Sequence, residues 1–240
     1  MISLSQEFVD SCPVEKGFRL RGLEMTRTEV FVDAAFAFAL TLLVISFDAI
    51  PGNWEEVILA IKNIPAFIVA VAQLVWIWYE HSVWSKRYGL DDAMTVFLSA
   101  ILLIVMLVYI YPMRMMAGGM FAWFTNAYLP QPFELETWDQ LSGMFIFLGV
   151  GFSALCVVFV VLHLYAARRR DELRLSAAEL FSTRTAAAIW AGSALVGMAS
   201  VAAAVILPPA WVPFAGFVYF LIGAWILLFS SWRQKRKPAA

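Results

Sequence analysis

The chain has 240 residues, of which 62% are hydrophobic and 15% charged, and its mean hydropathy is +0.78. Soluble domains are only about half apolar and about a quarter charged, so this composition excludes them and indicates an all-α integral membrane protein. The net charge of −1 argues against a nucleic-acid partner. The two cysteines, Cys12 and Cys156, give neither a disulfide framework nor the spacing of a metal site, and we expect no cofactor.

The chain begins with a polar segment, residues 1–25, and the first apolar helix is predicted over 26–48. The first segment is an amphiphilic lead that we expect to lie on the membrane surface or to be partly disordered. It has no apolar stretch of the kind that defines a cleavable signal peptide. At about 1.5 Å per residue the predicted helix is about 34 Å long, which spans a hydrocarbon core of about 30 Å.

One seam of this first helix is formed by Ala34, Phe38, Thr41, Ile45 and Asp48, which follow one another at spacings of four and three. If several copies surrounded an axis, Phe38 and Ile45 would form apolar constrictions, and Thr41 would form a hydroxyl ring between them. Asp48 would place negative charge at one mouth. Apolar constrictions gate by dewetting and acidic rings favour cations. Ordinary helix packing, with small contact residues, gives the same spacing and is common in membrane bundles, so the spacing alone favours it.

The remaining chain contains five further apolar segments with the length of membrane-spanning helices. Aromatic residues near the end of the second helix predict a belt at the membrane interface: Trp76, Trp78, Tyr79 and Trp84. The fifth helix is rich in Ala, Gly and Ser, which is typical of close helix packing. The predicted helices are 55–80, 91–111, 139–167, 184–207 and 211–232, with a partly helical connection at 112–138 and a charged, helical loop at 171–183.

Six spans place both termini on the same side of the membrane. Of the 17 lysines and arginines, all except Lys62 and Arg114 fall on that side. The positive-inside rule then predicts cytoplasmic termini in a multi-pass protein of the inner (plasma) membrane. The predicted organisation is a cytoplasmic lead (1–25), a six-helix domain (26–232) and a basic cytoplasmic tail (233–240).

Two sequence motifs resemble a known family. The run Arg27-x-x-x-Phe31-Val32-Asp33, followed by Ala-x-Phe-Ala-x-Ala-x-Thr-Leu-Leu, is similar to the first-helix signature of the transmembrane-protein-175 family of bacterial and lysosomal potassium channels. The run Trp76-x-x-x-Glu80-His81-Ser82-x-Trp84 is similar to the end of the family's second helix. A third helix ending at Tyr111-Pro112 also fits, so the resemblance covers about residues 26–112.

This resemblance implies a homotetrameric channel that passes K⁺ through a pore lined by the first helix. Three positions depart from the family pattern. Val32 replaces a serine, Ser82 replaces a second histidine, and Phe38 stands where the family has leucine or isoleucine. A ring of phenylalanines is bulkier and either closes the path or swings aside, so conduction and ion selectivity are the properties that these changes affect.

Asp33 lies about two turns inside the predicted first helix. A carboxylate there costs about 2–3 kcal/mol or more against lipid, so it should face protein or water. The predicted topology brings the end of the second helix to the same leaflet. We therefore predict a structural polar cluster of Arg27, Asp33 and His81, with Trp76 or Trp78 as a possible donor; the alternative is that Arg27 and His81 simply lie in water at the interface.

The sequence leaves two alternatives to a channel. A secondary transporter or proton-linked carrier would need ionisable groups at mid-depth, of which the chain offers few. A non-conducting membrane scaffold would keep the fold and lose the pore, and Val32 and Phe38 are its best support. The chain has no T-V-G-Y-G filter, phosphate loop or nucleophile elbow, and nothing in it is arranged for covalent chemistry.

Overall fold

The computed structural model describes residues 4–45, 51–131 and 136–236, and these are almost entirely helical. The lead end of the bundle is the end near Arg27, and the far end is the opposite end. The elements in chain order are α1 (Gln6–Ser11), β1 (Val14–Glu15), β2 (Phe18–Arg19), α2 (Arg27–Ile45), α3 (Trp54–Tyr88), α4 (Ala93–Phe124), α5 (Trp138–Arg168), α6 (Ala177–Ile206), a 3₁₀ turn (Pro209–Trp211), α7 (Phe214–Phe217) and α8 (Phe220–Gln234).

Within the described ranges, five segments are long and apolar enough to cross a membrane. They are α3, α4, α5, α6 and the stretch Pro209–Gln234, which contains α7 and α8. The predicted first span corresponds to α2, which has 19 residues up to Ile45. The end predicted for it, at residue 48, lies outside the described residues, so the total of six spans stays a prediction.

The long helices extend beyond the ends predicted from polar residues. Asn53 caps the start of α3 by accepting a hydrogen bond from the Glu56 amide at 3.0 Å, and the helix stops only at Gly89, whose φ of +59° is left-handed. Helix α4 runs through Pro112 to Phe124, because contacts with neighbouring helices in a membrane bundle make a proline within a helix tolerable. In these helices the capping residues, rather than the first charged residues, mark the ends.

The helices pack as a series of neighbours. Helix α2 contacts α3 and α4, α4 also contacts α5, and α6 lies between α5 and α8. The α5–α6 contact is close, because a side-chain carbon on Gly149 would lie 2.5 Å from Val201 Cγ2, and one on Gly197 would lie 2.4 Å from Ser153 Oγ. The Ser153 hydroxyl donates to the Ala194 carbonyl at 3.0 Å. Small residues therefore let these two backbones approach, in agreement with the composition of the predicted fifth helix.

Of the four aromatic residues of α3 that the sequence predicted as an interfacial belt, Trp84 is wrong, because it lies in the core. Trp84 is 1% exposed, and Trp76 stacks on Trp190 with ring centroids 5.3 Å apart. Trp76 and Tyr79 are nevertheless exposed, at 39% and 51%. Because α3 continues to Tyr88, Trp84 lies within a helix that packs against its neighbours, not at its end.

The lead is folded and attached to the bundle, in contrast to the expected surface-bound or partly disordered segment. It forms α1 and a short antiparallel β1–β2 pair. Arg21 then enters the protein, where its two terminal nitrogens donate to Glu179 at 3.0 and 2.9 Å and its Nε donates to the Leu173 carbonyl at 2.8 Å. The side chains of Arg21 and Glu179 are 0% and 3% exposed. A buried ion pair therefore holds the lead against the start of α6.

The lead also crosses the end of α3 at two glycines. The Gly22 amide donates to the Lys86 carbonyl at 3.0 Å. A side-chain carbon on Gly22 would lie 2.7 Å from the Gly89 Cα, so the two backbones touch. This contact is possible only because both residues lack a side chain.

Asp92 connects the start of α4 to the end of α5. It accepts hydrogen bonds from the Thr95 amide at 2.9 Å, and from Tyr165 and Arg169. Burial would raise the pKa of this carboxyl, but the hydrogen bonds outweigh that effect and hold the pKa at about 2. Asp92 is therefore ionised at neutral pH and serves both as helix cap and as ion-pair partner.

We predict that Glu179→Gln lowers the free energy of unfolding by about 3–5 kcal/mol, because it leaves the Arg21 charge buried without its partner. The matched control is Asp171→Asn, which removes one partner of the Arg170–Asp171 pair, whose side chains are 53% and 88% exposed. That change should cost about 1 kcal/mol or less. Chemical unfolding in detergent, followed by circular dichroism, measures both, and equal losses would contradict the role of the buried pair.

Candidate functional site

Helix α2 has two faces, and one of them is part of the protein core. Val32, Phe36, Ala39 and Leu43 are 1%, 4%, 2% and 0% exposed. These four residues belong to the main core cluster, which α2 shares with α3 and α4. Their spacing of four, three and four residues makes one continuous packing face along the helix. Val32, which replaces the family's serine, is therefore a core residue.

The other face is exposed along the described length of α2. Ala34, Phe38 and Thr41 are all exposed in the single chain, and Phe38 is 60% exposed. We call these three residues the α2 stripe. They are the first three members of the seam recognised in the sequence. Packing within one chain therefore does not cover these three residues. If they serve ordinary helix packing, the contact comes from another molecule.

The side chains of the two other members of the predicted seam lie outside the described part of the structure. Ile45 is the last described residue of α2, but its side chain lies outside the described part of the structure. Asp48 also lies outside the described residues. The second apolar constriction and the acidic mouth thus stay predictions.

The Thr41 hydroxyl is oriented by the helix itself. Its Oγ1 donates to the Phe38 carbonyl at 2.6 Å. The hydrogen is therefore occupied within the helix, and the oxygen lone pairs form the free polar surface of the side chain. An oxygen acceptor of this kind suits a cation, since alkali and alkaline-earth ions prefer oxygen ligands.

The start of α2 is fixed by hydrogen bonds to its own backbone and to α4. Thr26 and Glu29 form the reciprocal bonds of a capping box: the Glu29 amide donates to Thr26 Oγ1 at 3.2 Å, and the Thr26 amide donates to Glu29 Oε2 at 2.9 Å. The Thr28 hydroxyl donates to Asp91 Oδ1 at 2.6 Å. The lead end of α2 is thus tied to the start of α4.

One turn further along, Asp33 is bound to α3. The indole nitrogen of Trp78 donates to Asp33 Oδ1 at 2.7 Å. His81, one turn further along α3, is 4% exposed and shares a hydrogen bond of 3.0 Å with Ser99 of α4. These two contacts connect the three helices α2, α3 and α4 at the lead end.

Arg27 occupies a different position from the other two members of the predicted polar cluster. It is exposed, and it borders a groove of about 220 Å³ between α2 and α4. Among the described side chains, no hydrogen bond or ion pair joins Arg27 to Asp33 or His81. The structure therefore places Asp33 and His81 in separate hydrogen bonds to Trp78 and Ser99, with Arg27 at the rim of the neighbouring groove.

Comparison with known proteins places this arrangement in a family. A family model described as the endosomal/lysosomal potassium channel TMEM175 matches residues 27–112. A protein of Marivirga tractuosa named as a potassium channel is 31% identical over 231 residues, which cover 91% of this chain and 92% of the relative. The chain belongs to the TMEM175 family.

The similarity of this TMEM175-family chain extends beyond the motifs to the whole fold. A crystal structure of a threonine-to-alanine variant of the potassium channel MtTMEM175, in complex with a nanobody–MBP fusion, matches it with a TM-score of 0.79. The sequences are 29% identical, and the match covers 92% of this chain and 99% of that chain. The resemblance inferred from the first half is confirmed, and it reaches the second half, where the sequence showed only matching hydropathy.

Sequence reasoning missed several residues that anchor α2 in this TMEM175-family chain. The capping box Thr26-x-x-Glu29 was visible as a local pattern. The contacts of Thr28 with Asp91 and of His81 with Ser99 join residues far apart in the sequence. No local signal announces such pairs, because each partner alone looks like an ordinary helix-end or helix-face polar residue.

We predict that Trp78→Phe destabilises the protein by about 2 kcal/mol, because the Asp33 carboxylate loses a charge-assisted hydrogen bond in a half-buried site. Trp211→Phe, which changes a 57% exposed indole, should have little effect. Thermal unfolding of Trp78→Phe, Asp33→Asn and the double variant forms a double-mutant cycle. Strictly additive losses in this cycle would show that the two side chains do not interact.

Proposed function

We propose that copies of this chain assemble around α2 into a potassium-permeable channel that passes ions passively along a pore lined by the α2 stripe. The assembly proposed is a homotetramer in the inner membrane, with six spans per chain and both termini in the cytoplasm. Membership of the TMEM175 family, whose relatives named above are potassium channels, supports K⁺ as the permeating ion. The topology rests on the distribution of lysines and arginines.

The observation that carries the proposal is the exposure of the α2 stripe. Phe38 is 60% exposed, although the opposite face of the same helix is almost fully buried. A helix that has one face in its own core and a hydroxyl on the other is suited to contact a second copy or a shared axis. Between Ala34 and Val44, Thr41 is the only polar side chain on α2, so the proposed conduction path needs several copies of the helix around one axis.

In the proposed pore the stripe residues have distinct roles. Phe38 forms an apolar constriction, which conducts only when it is wetted. Thr41 follows about 4.5 Å further along the helix axis and presents its oxygen to the ion. Ala34, a small residue, leaves a wider section on the lead side of Phe38. Ile45 and Asp48 complete the proposed pore as a second constriction and an acidic mouth.

The contacts at the lead end orient the stripe. Asp33 directly precedes Ala34, and its bond to Trp78 fixes the rotation of α2 about its own axis. The Thr28–Asp91 bond fixes its start. Asp33, His81 and Arg27 are thus proposed as structural support, not as ion ligands.

A non-conducting scaffold is the second candidate, and the observation that favours it is the size of Phe38. Four such rings around a narrow axis occupy more space than the leucine or isoleucine typical of the family. If they cannot swing aside, the path stays closed. A carrier has less support, because no ionisable side chain lies on the described α2 stripe.

Potassium flux into proteoliposomes tests the proposal. We expect measurable flux for the wild type and higher flux for Phe38→Ala, because replacing the phenyl ring by a methyl group widens the apolar constriction. Thr41→Ala should change the K⁺/Na⁺ preference, since it removes the oxygen ring. The matched control is Phe147→Ala, which removes a 52% exposed phenylalanine from α5 and should leave flux unchanged.

The possible results separate the candidates. Flux only in Phe38→Ala would identify a chain silenced by its phenylalanine ring, and thus the scaffold in its natural form. Saturable flux coupled to a second ion would identify a carrier. No flux in the wild type or in either α2 variant would contradict the channel proposal.

A further inference from the structure

A large cavity lies in the far half of the bundle, away from the α2 stripe. Its volume is about 960 Å³, at the upper end of the range of about 300–1,000 Å³ typical of small-molecule sites. Residues of α3, α4 and α5 and the segment from Pro213 to Ile222 form its walls. It belongs to neither the polar contacts at the lead end nor the proposed pore.

The described wall of this cavity carries no charged side chain. Its polar side chains include the amides of Gln73, Asn126 and Gln131, and methionines and aromatic rings make up much of the remainder. An ionic ligand would lose its hydration there without gaining a counter-charge, which costs several kcal/mol or more. Methionine side chains adapt to irregular apolar shapes. The chemistry of the wall thus favours an uncharged and largely apolar ligand.

Burial changes from the floor of the cavity to its rim. Met113, Phe145 and Phe152 on the floor are 3%, 5% and 5% exposed. Trp123 and Trp138 on the rim are 61% and 50% exposed. Both tryptophans lie close to the far ends of their helices, where indole rings prefer the headgroup level of a bilayer. The cavity therefore leads from the membrane interface to a buried apolar floor.

We propose that this cavity holds one hydrocarbon chain of a membrane lipid, with the lipid headgroup at the Trp123–Trp138 rim. Lipid chains are the uncharged hydrocarbon present at that depth of a bilayer, and the rim faces the level at which their headgroups lie. The bound chain fills the space between α3, α4 and α5 that the protein's own side chains leave open. The inference concerns a site outside the proposed pore and holds whether or not the chain conducts.

Two glycines provide a matched pair of variants for the test. A side-chain carbon on Gly119 would meet nothing within 4 Å, and Gly119 lines the cavity. A side-chain carbon on Gly143 would also meet nothing within 4 Å, but Gly143 is not part of the cavity wall. Gly119→Phe therefore fills the cavity, whereas Gly143→Phe adds the same ring at a helix position outside it.

The experiment uses the full chain reconstituted in phosphatidylcholine vesicles that contain a small fraction of phosphatidylcholine with a diazirine near the middle of one acyl chain. After photolysis, peptide mass spectrometry locates the label. We expect label on the floor residues Met113, Phe145 and Phe152 in the wild type and in Gly143→Phe. In Gly119→Phe the label on these residues should be lost, whereas label on the exposed Leu195 and Leu228 should persist.

A second variant guards against a folding defect. Gly119→Ala adds only one carbon, so it should keep the floor label, and both Gly119 variants should elute and melt as the wild type does. Label confined to exposed residues in every variant would overturn the proposal.

Discussion

The structure depends on the division of α2 into a buried face and an open face. Val32, Phe36, Ala39 and Leu43 bind the helix to its own chain, and their burial is nearly complete. Ala34, Phe38 and Thr41 are left uncovered by the same packing. Because the two sets lie on opposite sides of one helix, packing the first set against α3 and α4 turns the second set away from them. The proposed channel, with its several copies and a supporting role for Asp33, rests on this constraint.

The rotation of α2 is set at one end of the bundle, by contacts of different strength. The Asp33–Trp78 bond involves a charge and determines which side of α2 faces α3. The capping box and the Thr28–Asp91 bond hold the start of the helix. The lead adds a further restraint nearby, because the buried Arg21–Glu179 pair and the Gly22–Gly89 contact attach it to α6 and α3. The contacts that orient the stripe are thus concentrated at the lead end.

The sequence predicted the helical membrane fold because it depends on long apolar segments, and the seam of α2 because it depends on local periodicity. The same local reasoning ended α3 near residue 80 and α4 near residue 111, because it took polar or proline residues as stops. The actual stop of α3 is a left-handed glycine, Gly89, and Pro112 is accommodated within α4. The buried Arg21–Glu179 pair joins residues 158 positions apart. No periodic pattern predicts that kind of contact, which is why the lead was expected to lie on the membrane surface or to be partly disordered.

The most direct test of the account is cysteine accessibility along α2 during potassium flux. The two native cysteines are buried, so a membrane-impermeant, positively charged thiol reagent should leave the wild type unaffected. The account predicts that the reagent blocks flux in Ala34→Cys and Thr41→Cys and not in Ala39→Cys, whose side chain lies in the core. Block in Ala39→Cys, with no block at either stripe position, would contradict the assignment of the pore to this face.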